Sequence, residues 1–327
     1  MVESSLIILA VFLAIYAFVV FLDVRKAKKR GVKYHFRQAV TAFLFLLPAC
    51  VLAYFFILLP IVYSLGYGFT KFPLLRPDRI EFIGFRNFTD AFEEIASDGW
   101  LAKAIKNTAF FVVLVVPLQI ILALALALFC NFKAKGNVIF KVCFFTPVVI
   151  SLAVTAYLWK ELLSPAESSF INSILGVFGI PPQDFLNNPD TTMTAIVLIS
   201  AWQGCGYQML IFLSGLSGIK KELYEAARLD GCNAWQRFLR VTLPGLRPVL
   251  LYIVITVFIG ACRIMIQPML MVGYQENSVT LSYYMWYQGF RGRNVGYSAA
   301  IALLMTIFIG AITLIQRKLL GGKDNDR

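Results

Sequence analysis

Seven apolar segments, each near the roughly 20 residues that an α-helix needs to cross a lipid bilayer, dominate this chain of 327 residues. Hydrophobic residues make up 59% of the sequence and charged residues only 15%, whereas a soluble domain carries about 25% charged residues. The sequence therefore predicts an all-α, polytopic membrane protein whose helices face lipid. Pro48 and Pro60 predict a kink in the second span. The predicted spans are residues 5–22, 40–66, 108–130, 138–160, 192–216, 246–268 and 296–316.

The basic residues are distributed unevenly between the two ends of these spans. Of the 30 Lys and Arg residues, 20 fall in segments 23–37, 131–141 and 218–247 and in the C-terminal tail, whereas eight fall in the alternate segments. Cytoplasmic loops are enriched in Lys and Arg, so the richer set is predicted to be cytoplasmic, with the N-terminus outside. A net charge of +12 could indicate binding to nucleic acid, but the clustering of the basic residues at the ends of the spans argues against that partner.

The first apolar segment resembles a signal peptide in position but not in charge. The five residues before it contain an acid and no base, and the bases follow the apolar run instead of preceding it. We interpret residues 1–38 as an uncleaved anchor span with a basic cytoplasmic linker. Residues 39–327 then form the main transmembrane domain.

The residue types that carry most enzyme chemistry are sparse in this sequence. The six cysteines show no metal-ligand spacing, and the one histidine, His35, lies in a basic cytoplasmic segment. The pattern GxxxxGK[ST] is absent, so the chain cannot itself be an ATPase of that class. These observations predict a chain that is not an enzyme and holds no cofactor or metal.

A polar segment, residues 222–244, interrupts the apolar pattern on the predicted cytoplasmic side. Residues 222–230 favour a helix that Gly231 ends by adopting a positive φ. Residues 232–239 favour a second helix with Asn233 as its N-cap, and Pro244 leads into the next span. The sequence predicts a helix-turn-helix with a small charged nose.

The same segment resembles the EAA loop of permease subunits in binding-protein-dependent ABC importers. The family pattern is EAA, three residues, Gly, nine residues, and Ile-x-Leu-Pro; here EAARLDG is followed after nine residues by VTLP. Val241 replaces the isoleucine, and Cys232 stands where alanine is common. From about residue 40 onward the chain is also similar to the maltose-type and glycerol-phosphate-type permeases of this family.

The resemblance implies a transport subunit of an ATP-driven importer that moves a sugar or oligosaccharide delivered by an extracytoplasmic binding protein. It implies a second permease subunit, forming a heterodimer, and two cytosolic ATPase subunits that bind ATP and Mg. The location implied is the cytoplasmic (inner) membrane of a prokaryote. The residues expected to couple transport to the ATPase are Glu225, Ala226, Ala227, Asp230 and Gly231.

Polar side chains within spans are costly and usually face a cavity or a partner helix. Arg263 predicts a cargo with negative charge, such as a uronate or a phosphate ester, with a neutral sugar as the alternative. Hydrogen bonds between helices, or snorkelling of Arg263 to the outer surface, are alternative interpretations. The residues predicted to line the substrate path are Trp202, Gln203, Tyr207, Gln208, Arg263 and Gln267.

Two other classes of membrane protein remain as alternatives. A stand-alone secondary transporter of a small polar solute would need ion-coupling carboxylates, and no Asp or Glu lies deep within a predicted span. A membrane enzyme would need a cluster of His, Asp or Ser residues at one membrane face, and none stands out. The sequence does not identify the sugar.

Overall fold

The computed structural model describes Arg25 and residues 36–131 and 136–320, so the predicted span 5–22 lies outside the described residues. The described part is helical almost throughout, which confirms the predicted fold class. The first elements are α1 (Phe36–Ala53), α2 (Leu59–Tyr67), β1 (Thr70–Lys71), β2 (Glu81–Phe82), α3 (Arg86–Ala96), α4 (Trp100–Cys130), α5 (Asn137–Val149), α6 (Leu152–Leu162) and α7 (Phe170–Val177). The remaining elements are α8 (Pro189–Gly218), α9 (Lys221–Leu229), α10 (Ala234–Arg237), α11 (Leu243–Gly245), α12 (Arg247–Cys262), α13 (Ile266–Met271), α14 (Leu281–Trp286) and α15 (Val295–Leu320).

Five helical segments of the described chain are long and apolar enough to cross a membrane, and the bent pair α5–α6 raises that number to six. These segments coincide with the six predicted spans from 40–66 onward, although the one predicted at 108 begins at Trp100. The span predicted at 138–160 is not one straight helix, because α5 and α6 meet at a bend of 95°.

The break between α5 and α6 has a local cause and a tertiary one. Pro147 has no backbone N–H to donate near the end of α5. Shortly after it, Ile150 and Ser151 adopt extended backbone, with ψ of 134° and 137°. The carbonyl of Ile150 accepts a hydrogen bond from the side-chain amide of Gln203 on α8, at 3.3 Å. The break is therefore held by the neighbouring helix.

Two glycines on α8 allow α4 and α5 to approach it closely. A Cβ atom on Gly206 would collide with the backbone carbonyl of Phe144 on α5. A Cβ atom on Gly204 would collide with the side-chain amide of Gln119 on α4. The stretch AWQGCGY thus brings three helices together at one level of the bundle.

A π-helical turn lies where the sequence predicts a kink in the second span. Residues Tyr54–Leu58 form this turn directly before Pro60, which lies in the first turn of α2. Pro60 has no backbone N–H to donate, so the local widening of the helix accommodates the missing hydrogen bond. The whole segment Leu44–Tyr67 still continues as one apolar helix of 24 residues.

A cap, which we name the outer cap because the predicted topology places it outside the membrane, is formed by the hairpin β1–β2, α3 and α14 at one end of the bundle. The carboxylate of Glu94 on α3 accepts hydrogen bonds from the hydroxyls of Tyr284 and Tyr297 and from the backbone N–H of Leu101. Burial raises the pKa of the Tyr284 hydroxyl, which keeps it protonated as a donor. This carboxylate fixes α3 against α4, α14 and α15.

The predicted membrane orientation can be tested at two exposed positions. Ser168 lies in the connection between α6 and α7, and Lys221 begins α9. We expect Ser168→Cys to react with a membrane-impermeant maleimide in intact cells, and Lys221→Cys to react only after permeabilisation. The parent chain with its six native cysteines provides the background. Labelling of Lys221→Cys from outside would invert the topology.

The close contact between α8 and α5 predicts that Gly206→Ala destabilises the fold. The added methyl group forces the Phe144 backbone away, at a cost of about 1–3 kcal/mol for overpacking. A lower thermal unfolding midpoint in detergent is the expected result. Gly310→Ala on α15 is the matched control, because a Cβ atom there meets nothing within 4 Å. Equal midpoints for the two variants would contradict this account of the packing.

Candidate functional site

The polar segment forms the predicted helix-turn-helix at the end of the bundle. Helix α9 ends at Leu229, and Gly231 follows with φ of +73°, so the chain reverses in the left-handed region that glycine adopts freely. Asn233 and Gln236 form a reciprocal capping box that begins α10. A second π-helical turn at Phe238–Thr242 then leads through α11 to α12.

The surface of this nose is partly apolar. Glu225, Ala226 and Asp230 are exposed, whereas Ala227 is buried, so only one of the two paired alanines is available to a partner. Leu229 is 89% exposed at the tip. A leucine held in this position without cover is suited to insertion into another protein surface.

The nose is fastened to the rest of the chain by few contacts. The hydroxyls of Tyr224 on α9 and Thr242 lie 3.0 Å apart. The backbone N–H of Cys232 donates to the carbonyl of Ala227, which closes the turn around Gly231. These contacts orient α9 relative to the start of α12, and no described residue covers the exposed face of α9 that carries Glu225, Ala226 and Leu229.

A cavity of about 460 Å³ lies among α4, α8, α12 and the break between α5 and α6. Apolar side chains such as Phe111, Val115 and Ile264 form much of its wall. The polar side chains that line it are Gln119, Ser200, Gln208, Thr256, Arg263 and Gln267. Three residues predicted on the substrate path, Gln208, Arg263 and Gln267, therefore meet at one cavity.

Gln203 lies behind the wall of this cavity. Its side-chain NH2 donates to the Ile150 carbonyl and, at 3.0 Å, to the Thr155 hydroxyl on α6. Its side-chain oxygen accepts from Gln267 at 3.4 Å. Gln203 thus makes the helix-to-helix hydrogen bonds that the sequence left open as an alternative role, and it supports Gln267 on the cavity surface.

Gln119 is a cavity residue that sequence reasoning did not identify. Its side-chain NH2 donates to the side-chain oxygen of Gln208 at 3.0 Å, with both groups buried in the chain. The signal was present, because Gln119 is a lone amide within the apolar run VVLVVPLQIILALALAL. Ser200 adds a buried hydroxyl oxygen with no hydrogen-bond partner among the described residues.

Trp202 and Tyr207 lie elsewhere on α8. Trp202 packs edge-on against Trp159, with ring centroids 5.6 Å apart, beside a second and mostly apolar cavity of about 590 Å³. Tyr207 is exposed and does not contribute to the lining of the polar cavity. Neither cavity contains a cluster of three or more potential metal ligands in the described part of the chain.

Comparison with known proteins gives a consistent set of similarities. Residues 95–321 match the family described as binding-protein-dependent transport system inner membrane component. The arabinooligosaccharides transport system permease protein AraP of Bacillus subtilis (strain 168) is 33% identical over 292 residues, which cover 88% of this chain and 90% of that protein. The lactose transport system permease protein LacF of Rhizobium radiobacter is 30% identical over 285 residues, covering 85% and 93%.

The fold also matches a solved structure. A bacterial ABC transporter involved in the import of the acidic polysaccharide alginate contains a chain with a TM-score of 0.75 and 21% sequence identity. The match covers 88% of this chain and 98% of that one. At this identity the likeness establishes the shared fold.

The position of Gln203 predicts a structural effect when its amide is removed. Gln203→Leu removes the part-buried hydrogen bond to the Ile150 carbonyl and leaves the buried Thr155 hydroxyl without its donor, and an unsatisfied buried polar group costs about 1–3 kcal/mol. We expect a lower thermal unfolding midpoint in detergent. Ser200→Ala is the matched control on the same helix, because its hydroxyl has no partner among the described residues. An unchanged midpoint in Gln203→Leu would show that the break does not need this hydrogen bond.

Proposed function

Because the chain belongs to the family of binding-protein-dependent transport system inner membrane components, we propose that it is a permease subunit of an ATP-driven importer of sugars or oligosaccharides. The observation that carries the choice of cargo is the 33% identity to an arabinooligosaccharide permease over 88% of this chain. The polar cavity supports it, since amides and hydroxyls can exchange hydrogen bonds with sugar hydroxyls. The chain acts as a transport component, and ATP hydrolysis belongs to other subunits.

The nose at 222–244 is the proposed docking element for one of the two cytosolic ATPase subunits, which bind ATP and Mg. Glu225 and Asp230 offer exposed carboxylates to basic groups, while Ala226 permits close approach and Leu229 supplies an apolar anchor. Gly231 permits the reversal that presents these residues together. Movement of the ATPase subunits would then move the nose as a rigid body.

The same proposal assigns the other surfaces of the chain. Only 6% of the most apolar window of the helix Leu44–Tyr67 is buried within this chain, which suits contact with a second, different permease subunit and with lipid. The outer cap is the proposed landing surface for the extracytoplasmic binding protein. Residues 39–327 would form the transmembrane domain and 1–38 the anchor, in the cytoplasmic membrane of a prokaryote.

ATP-dependent uptake tests this assignment directly. Vesicles that contain the permease pair, its ATPase subunits and its binding protein should accumulate an oligosaccharide, neutral or acidic, only when ATP is supplied. Accumulation driven by an ion gradient without ATP would support the alternative of a secondary transporter. The absence of Asp and Glu from the cavity lining makes that outcome unexpected.

Two substitutions in the nose should uncouple uptake from ATP hydrolysis. Gly231→Val places a β-branched residue at φ of +73°, and Glu225→Lys reverses the charge of the exposed carboxylate. We expect each to lower ATP-dependent uptake and ATPase co-purification while the permease pair still assembles. Gly218→Val is the matched control, because Gly218 is exposed near the nose and has no positive φ. Full uptake by both nose variants would refute the coupling role.

A further inference from the structure

We propose that the cargo carries negative charge and that Arg263 is the residue that selects it. The cargo class is an acidic saccharide, such as a uronate oligomer, whose carboxylate contacts the Arg263 guanidinium. This inference rests on the proposed function, because it concerns the cargo of the same cavity.

Arg263 lies at the break between two helices within a predicted membrane span. It directly follows Cys262, the last residue of α12, and its backbone adopts φ of −96° and ψ of 12° at the break before α13. It lies inside the 25-residue segment Arg247–Met271 that is long and apolar enough to cross the membrane. A guanidinium at such a depth requires water, an acid or a ligand around it.

The described residues that line the cavity around Arg263 carry no negative charge. Arg263 is exposed to the cavity and takes part in neither of the two ion pairs of the described residues, Lys103–Glu276 and Lys106–Asp98. No Asp or Glu lines the cavity in the part of the chain that the structure describes. The cavity wall therefore carries one positive charge that no described residue of this chain neutralises.

Two polar side chains that line the same cavity as Arg263 have hydrogen-bonding atoms left for a ligand. The oxygen of Gln208 is occupied by Gln119, which leaves the NH2 group of Gln208 to donate to a ligand. The NH2 group of Gln267 is occupied by Gln203, which leaves the oxygen of Gln267 to accept. An acidic sugar offers the complement, with a carboxylate for the guanidinium and Gln208 and a hydroxyl for Gln267.

A snorkelling arginine would be an alternative use of the same residue. Its side chain would then extend along apolar surface towards the outer headgroups and away from neighbouring amides. Arg263 lines the same cavity as the polar side chains of Gln208 and Gln267. A place on the wall of a polar cavity favours contact with a ligand over escape to the membrane surface, and the guanidinium fork suits a planar carboxylate.

The experiment compares charged and neutral cargo in the complete importer. Uptake of trigalacturonate and of maltotriose is measured in vesicles that contain both permeases, the ATPase subunits and the binding protein, for wild type, Arg263→Gln and Arg263→Lys. We expect Arg263→Gln to lower trigalacturonate uptake by roughly ten- to a hundredfold, the effect of losing a charge-assisted hydrogen bond. Arg263→Lys should retain part of that uptake, and maltotriose uptake should be equal in all three proteins.

Arg291→Gln is the matched control, since it removes an exposed guanidinium that does not line the cavity. Equal loss of both cargoes in Arg263→Gln, or loss of subunit assembly, would overturn the proposal in favour of an ion pair with the second permease. Unchanged uptake would overturn it in favour of snorkelling. ATP-dependent uptake of maltotriose alone by wild type would overturn the acidic cargo and leave the importer function intact, whereas uptake of neither cargo would contradict both.

Discussion

The hydrogen bond between the Gln203 amide and the Ile150 carbonyl is the contact on which the arrangement of this bundle depends. Within a membrane, a backbone carbonyl that leaves its helix has no water to replace the lost partner. A broken span is therefore stable only where another part of the protein supplies a donor. Gln203 supplies it from α8, and the glycine at 206 lets α8 come close enough to do so.

The break between α5 and α6 also forms part of the wall of the polar cavity. At 95° of bend, α6 leaves the line of α5, and Leu152 at its start becomes part of the cavity wall. The glutamines near the break have different roles. Gln203 donates hydrogen bonds to a backbone carbonyl and a side-chain hydroxyl of the broken span, whereas Gln208 and Gln267 line the cavity. One short stretch of α8 thus provides both the support and part of the binding surface.

Hydropathy and local chemistry predicted the elements whose cause lies within a few residues. The spans follow from the length of apolar runs, and the turn at Gly231 and the cap at Asn233 follow from residue types that act on their own backbone. The break at Ile150 was not predictable in this way, because its stabilising donor lies 53 residues further along the chain. Apolar content alone cannot separate one straight span from two bent halves.

The candidate site was also predictable only in part, because residue type is a local signal whereas the direction of each side chain depends on packing between distant residues. A charged or amide residue in a span signals a cavity or a contact, which is why Gln208, Arg263 and Gln267 could be selected. The direction of each of these side chains depends on the rotation of its helix about the helix axis, and packing against neighbouring helices sets that rotation. The glycines at 204 and 206 fix the rotation of α8 against α4 and α5, and with it the outward position of Tyr207 and the placement of Trp202 beside Trp159.

Two of the helices that line the cavity, α8 and α12, are also the two that hold the nose, and this connection explains how they can act together. Helix α8 ends at Gly218, directly before α9, and α12 begins at Arg247, directly after α11. At the end of α8 next to the nose, a Cβ atom on Gly215 would collide with the side chains of Leu246 and Val249, so α8 and the start of α12 are tightly packed there. Along α12, about 24 Å of continuous helix separates the nose from Arg263, at 1.5 Å per residue. A displacement of the nose therefore reaches the cavity wall without passing through a flexible loop.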